Sequence, residues 1–171
     1  MTRHVLTVAD LAAADGRGEV EVRYTGGDAA DMQTMFGTSR YRPQGPGDLG
    51  ERLRRTAEDA FAEGVERTVI VGADCPGLTA SHIRVAFDAL AGRDLVIGPA
   101  TDGGYYLVGF RHVIPSLFQD IDWGSSRVLA QTLAAARALD LRTAMLEELP
   151  DVDRPEDLPA WKAVRTRYWE D

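Results

Sequence analysis

The stretch VIVGADCPGLT, residues 69–79, runs apolar for three residues and then changes character. A glycine follows, then Ala73, Asp74, Cys75 and Pro76. A short continuous apolar run bounded by turn residues reads as a strand buried on both faces, the kind that parallel sheets carry. The carboxylate at its end has two readings. Asp74 hydrogen-bonds the local backbone while Pro76 fixes the bend, or it holds a hard divalent cation, which takes oxygen ligands.

Around this strand the chain alternates strand and helix patterns. A weak helical stripe covers residues 5–14, and EVEVRY, 19–24, alternates strictly as a strand does. Thr25-Gly26-Gly27 is a turn, and Asp28 is placed to cap a short helix ending at Phe36. RYRPQ is a brief extended piece and GPGDLG a loop. From Asp48 the stripe Leu49, Leu53, Ala57, Ala60, Phe61 marks a helix that Gly64 ends. A strand at 67–72, a helix from Thr79 and strand DLVIG, 94–98, come next. PATDGG then separates that strand from YYLVGF, 105–110. A helix from about Ser126, a strand near 143–147 and a helix from Pro155 finish the chain. Alternation of this kind, with apolar-run strands, implies a mostly parallel sheet covered on both faces: a three-layer α/β/α domain. No repeat, low-complexity tract or linker divides residues 1–171, so one domain is expected.

Composition narrows the classes. The 171 residues are 44% hydrophobic and 27% charged, an ordinary globular balance with room for a substantial core. No apolar run reaches the roughly 18–20 residues of a membrane span, and MTRHVLTVAD lacks the pattern of a signal peptide. A single cysteine makes no intrachain disulfide, so a reducing cytoplasm is the expected location. The net charge of −8 and the lack of a basic run argue against nucleic acid as a partner.

In open parallel sheets, ligands bind outside the carboxyl ends of the strands. That rule puts GADCPGL, PATDGG and DVDRPEDL on one rim. Asp153 heads a good capping box with Glu156, which is a sufficient structural reason for it, worth about 1 kcal/mol. Yet Asp151 and Asp153 flank Val152, and positions two apart in an extended segment face the same side. Two caps explain Asp74 and Asp153 separately; a metal explains why both lie at one rim. Asp102 initiates a turn or stands exposed as part of an acceptor-recognition loop. Trp123-Gly124-Ser125-Ser126 reads first as a loop and helix cap, second as a ligand contact.

Other readings are weaker. Gly45-x-Gly47-x-x-Gly50 formally matches a dinucleotide fingerprint and opens a helix. The preceding RYRPQ is polar, however, and Asp48 sets a negative charge where a pyrophosphate would sit. Cys75 reads as packing rather than as a nucleophile, and His82, in the first turn of a helix, as surface decoration.

Taken together, PQGPGDLGERL, GADCPGLT, IGPATDGGYYLVGF, the segment around IDWGSSRVLAQTL, and DVDRPEDL resemble the DUF2064 family of proposed glycosyltransferases. That group belongs to the nucleotide-diphospho-sugar transferase superfamily, with a GT-A-like fold, alongside nucleotidyltransferases that make molybdenum-cofactor and F420 precursors. The resemblance covers about residues 19–160, and DGGYYLVGF is its most specific run. It implies that Asp74 and Asp153 bind Mg²⁺ or Mn²⁺, and that Gln44, Gly47, Leu49 and Gly50 contact the nucleobase. It also implies that Asp102, Gly103 and Gly104 lie on the acceptor side. The family opens with a buried strand and a glycine-rich basic phosphate loop, and this chain starts after it. The expectation is therefore either a sequence that starts late or an N-terminally shortened relative, whose sheet rearranges its strand order or is completed across an interface as a homodimer.

The function expected is metal-dependent transfer from a nucleoside diphosphate sugar or nucleoside triphosphate. Glycosyl transfer is preferred, nucleotidyl transfer comes next, and Asp102 is a candidate base. The alternative is a degenerate, non-catalytic nucleotide-binding or assembly module. A dinucleotide oxidoreductase rests on the glycine pattern alone.

Overall fold

Leu95, Val96 and Ile97 are wholly buried, and their alternation builds the layers. Val96 faces one core, with Val5, Val8, Ile83, Ala86 and Leu90; Leu95 and Ile97 face the other, with Ala57, Val108, Phe110, Leu117 and Ala136. Successive strand residues point to opposite faces, so a strand apolar at every position needs helices on both sides.

The computed structural model describes residues 1–14, 16, 18–37 and 40–150. In chain order the elements are α1 (Thr2–Ala13), β1 (Glu21–Tyr24), α2 (Ala29–Phe36), β2 (Arg40–Pro43), α3 (Leu49–Ala62) and β3 (Thr68–Val71). Then come α4 (Ala80–Ala89), β4 (Leu95–Pro99), β5 (Tyr105–Phe110), a 3₁₀ turn at Pro115–Phe118, α5 (Val128–Ala138) and β6 (Thr143–Met145). Helices α1 and α4 cover one face of the sheet, α3 and α5 the other. This is the expected three-layer α/β architecture. The helix expected from Pro155 lies outside the described residues.

Among the described residues the strands form two sheets. β1 and β2 pair in parallel, and β3-β5-β4-β6 make a four-stranded sheet. In the latter, β3, β4 and β6 run one way and β5 runs against its two neighbours. The reversal has a simple cause. Only Ala100–Gly104 separate β4 from β5, and so short a link closes an antiparallel hairpin but not a parallel crossover.

Helix α3 ties the two sheets together. Leu53, Ala57 and Phe61 belong to the core beneath the four-stranded sheet, while its Asp59 accepts a 2.6 Å hydrogen bond from Arg23 of β1. The helix starts at a complete capping box: Asp48 accepts from the Glu51 amide at 2.9 Å, and Glu51 accepts from the Asp48 amide at 3.1 Å. Asp28 caps α2 with a single bond, accepting from Asp31 N at 2.9 Å. One glycine is demanded by packing within the sheet. A Cβ on Gly98 would lie 2.4 Å from Cζ of Tyr106, whose ring fills the space above the β4 backbone. At that point the β4–β5 register shifts, and the Tyr106 hydroxyl donates to the Glu147 carbonyl at 3.1 Å.

Candidate functional site

Because β3, β4 and β6 are parallel, their carboxyl ends share one edge of the sheet, and three loops leave from it. Asp74 follows β3 and is exposed. Asp102, also exposed, sits in the turn after β4. The chain leaving β6 is pinned between these two loops. Leu149 N donates to Pro99 O at 3.0 Å, Thr101 N to Leu149 O at 3.2 Å, and Cys75 Sγ to Pro150 O at 3.7 Å. Pro150 therefore lies beside the Asp74 loop, where the chain heads into Asp151-Val152-Asp153. Asp153 itself, and with it the expected pairing of its carboxylate with Asp74, lies outside the described residues.

The turn after β4 is braced by its own side chain. Asp102 Oδ1 accepts from Gly104 N at 2.7 Å, while Gly103 N donates to Ala100 O and Ala100 N to Gly104 O. Gly103 has φ +91°, and a Cβ there would fall 2.2 Å from Ser126 O, so this position takes no side chain. The turn-forming role of Asp102 is thus realised.

A second loop reaches the rim by way of α3. Gln44 follows β2 and is half-buried, whereas Gly45–Leu49 are exposed. Two arginines hold the loop by its carbonyls. Arg55 donates to Gln44 O at 2.6 Å and Pro46 O at 3.0 Å, and Arg52 donates to Gly47 O at 2.9 Å. The Gln44 carboxamide is oriented at both ends, accepting from Arg52 at 3.5 Å and donating to Arg23 O at 3.4 Å. Gly47 has φ +103°, and Glu51 of the capping box occupies the space a Cβ would need. Leu49 is 47% exposed, presenting an apolar surface beside the glycines. Gly50 is buried under the indole of Trp123. Arg52 and Arg55 were not among the expected site residues. Their spacing of three, which sets both on one helix face, was the available signal.

His82 departs from expectation. Its Nδ1 accepts from Thr79 N at 3.0 Å, and its Nε2 meets Glu147 Oε1 at 2.5 Å, so the ring caps α4 and ties it to the chain after β6. Its side chain is only 14% exposed, so it is a structural link rather than surface decoration. The cap reading of Ser125-Ser126 holds in part: α5 begins at Val128 with Arg127 at the N-cap position, and Ser125 Oγ accepts from Arg127 N at 3.3 Å just ahead of it.

The perturbed carboxylates lie elsewhere. Hydrogen bonding to Arg23 lowers the pKa of Asp59, bonding to Arg42 lowers that of Glu63, and the Arg142 guanidinium holds Asp94 far below the usual carboxylate range. Asp94 precedes β4, at the end of the sheet opposite the rim. These shifts mark structural ion pairs. Among the described residues no group of three His, Cys, Asp or Glu side chains is arranged to hold a metal; Asp74 is the described member of the expected pair.

The fold is shared with solved structures. A proposed nucleotide-diphospho-sugar transferase from Desulfovibrio desulfuricans G20 superimposes with a TM-score of 0.81 at 28% identity, covering 99% of this chain and 85% of its own. At 14% identity, a 4-diphosphocytidyl-2C-methyl-D-erythritol synthase gives a TM-score of 0.66 over 95% of this chain and 87% of its own. A CMP:2-keto-3-deoxy-manno-octonic acid synthetase complexed with CTP gives 0.65 over 97% and 87%, also at 14% identity. The fold is that of the nucleotidyltransferase and GT-A-like proteins. No curated protein matches the chain. Residues 7–125 match the model of the family described as "Uncharacterized protein conserved in bacteria (DUF2064)", and the chain belongs to that family.

Proposed function

We propose that this protein is a metal-dependent transferase acting on a nucleotide-activated donor, with glycosyl transfer preferred over nucleotidyl transfer. The observation that carries the reading is the convergence of loops at one rim. Asp74, Asp102 and Leu149-Pro150 lie on segments that leave the carboxyl ends of three parallel strands, and an arginine-braced glycine loop reaches the same edge. Its likeness to the Desulfovibrio protein, which spans nearly the whole chain, supports a nucleotide-using transferase.

In this reading Gln44, Gly47, Leu49 and Gly50 seat the nucleobase. Gly47 gives the loop the positive φ of its turn, Leu49 supplies apolar surface, and the oriented carboxamide of Gln44 supplies hydrogen bonds. Asp74 and Asp153 would hold Mg²⁺ or Mn²⁺; hard oxygen donors suit either ion. The cation would neutralise charge on the departing diphosphate. Asp102, with Oδ1 bound to Gly104 N, would use Oδ2 to accept a proton from an acceptor hydroxyl, and Gly103 and Gly104 shape the turn that presents it.

Without a cation the rim disfavours its own ligand. Two like charges about 6 Å apart at an effective dielectric near 20 repel by almost 3 kcal/mol, roughly a hundredfold in affinity. Calorimetric titration of a UDP-sugar or GDP should therefore show binding with Mn²⁺ and its loss in EDTA, and Asp74→Asn should weaken the Mn²⁺-dependent binding about tenfold or more. Equal affinity with Mn²⁺ and with EDTA would sink the cation-bridged site. A second reading, a non-catalytic nucleotide-binding or assembly module, draws support from the turn-bracing bond of Asp102. Metal-dependent binding without turnover, unchanged by Asp102→Asn, would favour it.

A further inference from the structure

The segment Asp122–Ser126 joins the core to α5 and takes no part in seating the base or the cation, yet it touches both sides of the proposed site. On one side the indole of Trp123 lies directly against the first turn of α3. A Cβ on Gly50 would fall 2.5 Å from Trp123 Nε1 and 2.8 Å from its Cε2. On the other side Trp123 packs edge-to-face on Tyr105, with ring centroids 6.4 Å apart and planes at 84°. Tyr105 immediately follows Asp102-Gly103-Gly104. Three residues further on, the Ser126 backbone closes on Gly103, and Leu129 N donates to Gly103 O at 2.9 Å.

The segment is itself fixed. The Arg127 guanidinium pairs with Asp122, whose backbone amide donates to the Gln131 side chain at 2.9 Å. Trp123 N also donates to Ile121 O at 2.9 Å. A rigid indole is thus wedged between a glycine of the nucleotide-side loop and the aromatic ring that anchors the Asp102 turn. Glycine at position 50 is what allows the approach.

We propose that Trp123 is a positioning residue: it holds the Gln44–Gly50 loop and the Asp102–Gly104 turn at a set spacing, so that a nucleotide seated on the first fixes where the Asp102 carboxylate stands. The identity of the ligands rests on the reading given above. The mechanical link does not.

Amide hydrogen exchange on the full chain tests it, because each side carries its own reporter. Gly104 N, bonded to Asp102 Oδ1, reports the turn; Glu51 N, bonded to Asp48 Oδ1, reports the first turn of α3. Trp123→Ala should speed exchange at both by about tenfold, a loss of about 1.4 kcal/mol of local stability, and leave β3 and β4 unchanged. Trp123→Phe should fall between. Gly50→Ala should speed exchange at Gly104 when Trp123 is present and speed it less in the Trp123→Ala background, where the added methyl meets the Phe118 carbonyl at 2.9 Å but no indole. If Gly50→Ala does not fold, the two Trp123 variants decide alone.

Unaltered reporters in Trp123→Ala, or a rise spread evenly over β3, β4 and β5, would overturn the proposal. So would a Gly50→Ala effect at Gly104 that is undiminished without the indole. GDP with Mn²⁺ adds a liganded arm: protection at both reporters in the native protein and at Glu51 alone in Trp123→Ala. Protection of Gly104 without Trp123 overturns the link. Lack of GDP binding in every variant counts against the proposed function and leaves the ligand-free arms to judge the link.

Discussion

The two sheets are held by different forces. In the four-stranded sheet β4 is buried at every position, and Leu95, Val96, Ile97, Leu107, Val108 and Phe110 are at most 1% exposed. The β1–β2 pair contains no fully buried residue. Its stabilising contacts are charged. Arg23 bonds Glu21 and Asp59, and Arg40 and Arg42 each reach Glu21 and Glu63. Apolar burial is indifferent to pH and to moderate salt; ion pairs respond to both. The division runs through the proposed site as well. Asp74 and Asp102 hang from the apolar sheet, while the Gln44–Gly50 loop hangs from the charged one. The nucleotide side should therefore be the part that solution conditions disturb first.

The most direct way to break this contrast is to compare truncations. Phe110→Ala should cost about 3–5 kcal/mol by denaturant titration, because the ring is fully buried and contacts Phe118 edge-to-face. Asp59→Ala should cost about 1–3 kcal/mol, since it leaves the Arg23 guanidinium, 9% exposed, with Glu21 as its described partner. Equal costs for the two would abolish the distinction.

Acid comes next. Asp59 and Glu63 have folded pKa values below the ordinary 3.8 and 4.5, chiefly through hydrogen bonds to Arg23 and Arg42 respectively. A depressed carboxylate stabilises the fold above its unfolded pKa and loses that contribution as pH falls through the folded value. Exchange at β1 and β2 should therefore accelerate below about pH 4 while the interior of β4 stays protected. Asp94 obeys the same sign, so the Arg142 end of β4 and β6 should loosen with β1–β2, and the rim end should not. A uniform acid transition across both sheets would refute the division.

The smallest effect is that of salt. Raising NaCl from 0.05 to 1 M should weaken β1–β2 by about 0.5 kcal/mol, a change of roughly twofold in its amide exchange. The four-stranded sheet should show no loss. A larger salt effect on β4 than on β1 would reverse the assignment of forces.

What was legible in the sequence follows the same divide. The apolar runs at 68–71 and 95–99 and the stripe of α3 announce their elements because burial selects one residue class at regular spacing. Caps are local, so Asp28 could be read as a cap from neighbouring residues. The antiparallel course of β5 was harder, since YYLVGF is apolar throughout and such a run carries no direction; only the brevity of PATDGG spoke for a hairpin. Long-range polar links left no pattern. Nothing near His82 points to Glu147, and nothing near Gly50 points to Trp123, because each contact joins segments more than sixty residues apart. Of the candidate site, the sequence located the rim and its loops but not the arginines and indole that hold them in place.

The fit between Gly98 and Tyr106 has a consequence for inheritance. With 2.4 Å between a notional Cβ and the ring, a side chain at position 98 is tolerable only where position 106 has already become small, and a small residue at 106 alone leaves a void above β4. Each single step is penalised, while the double change is open. The two positions should accordingly behave as one unit of variation: lineages derived from this sequence should change both together or neither, and libraries randomised at both should recover functional pairs that are absent from either single-site library.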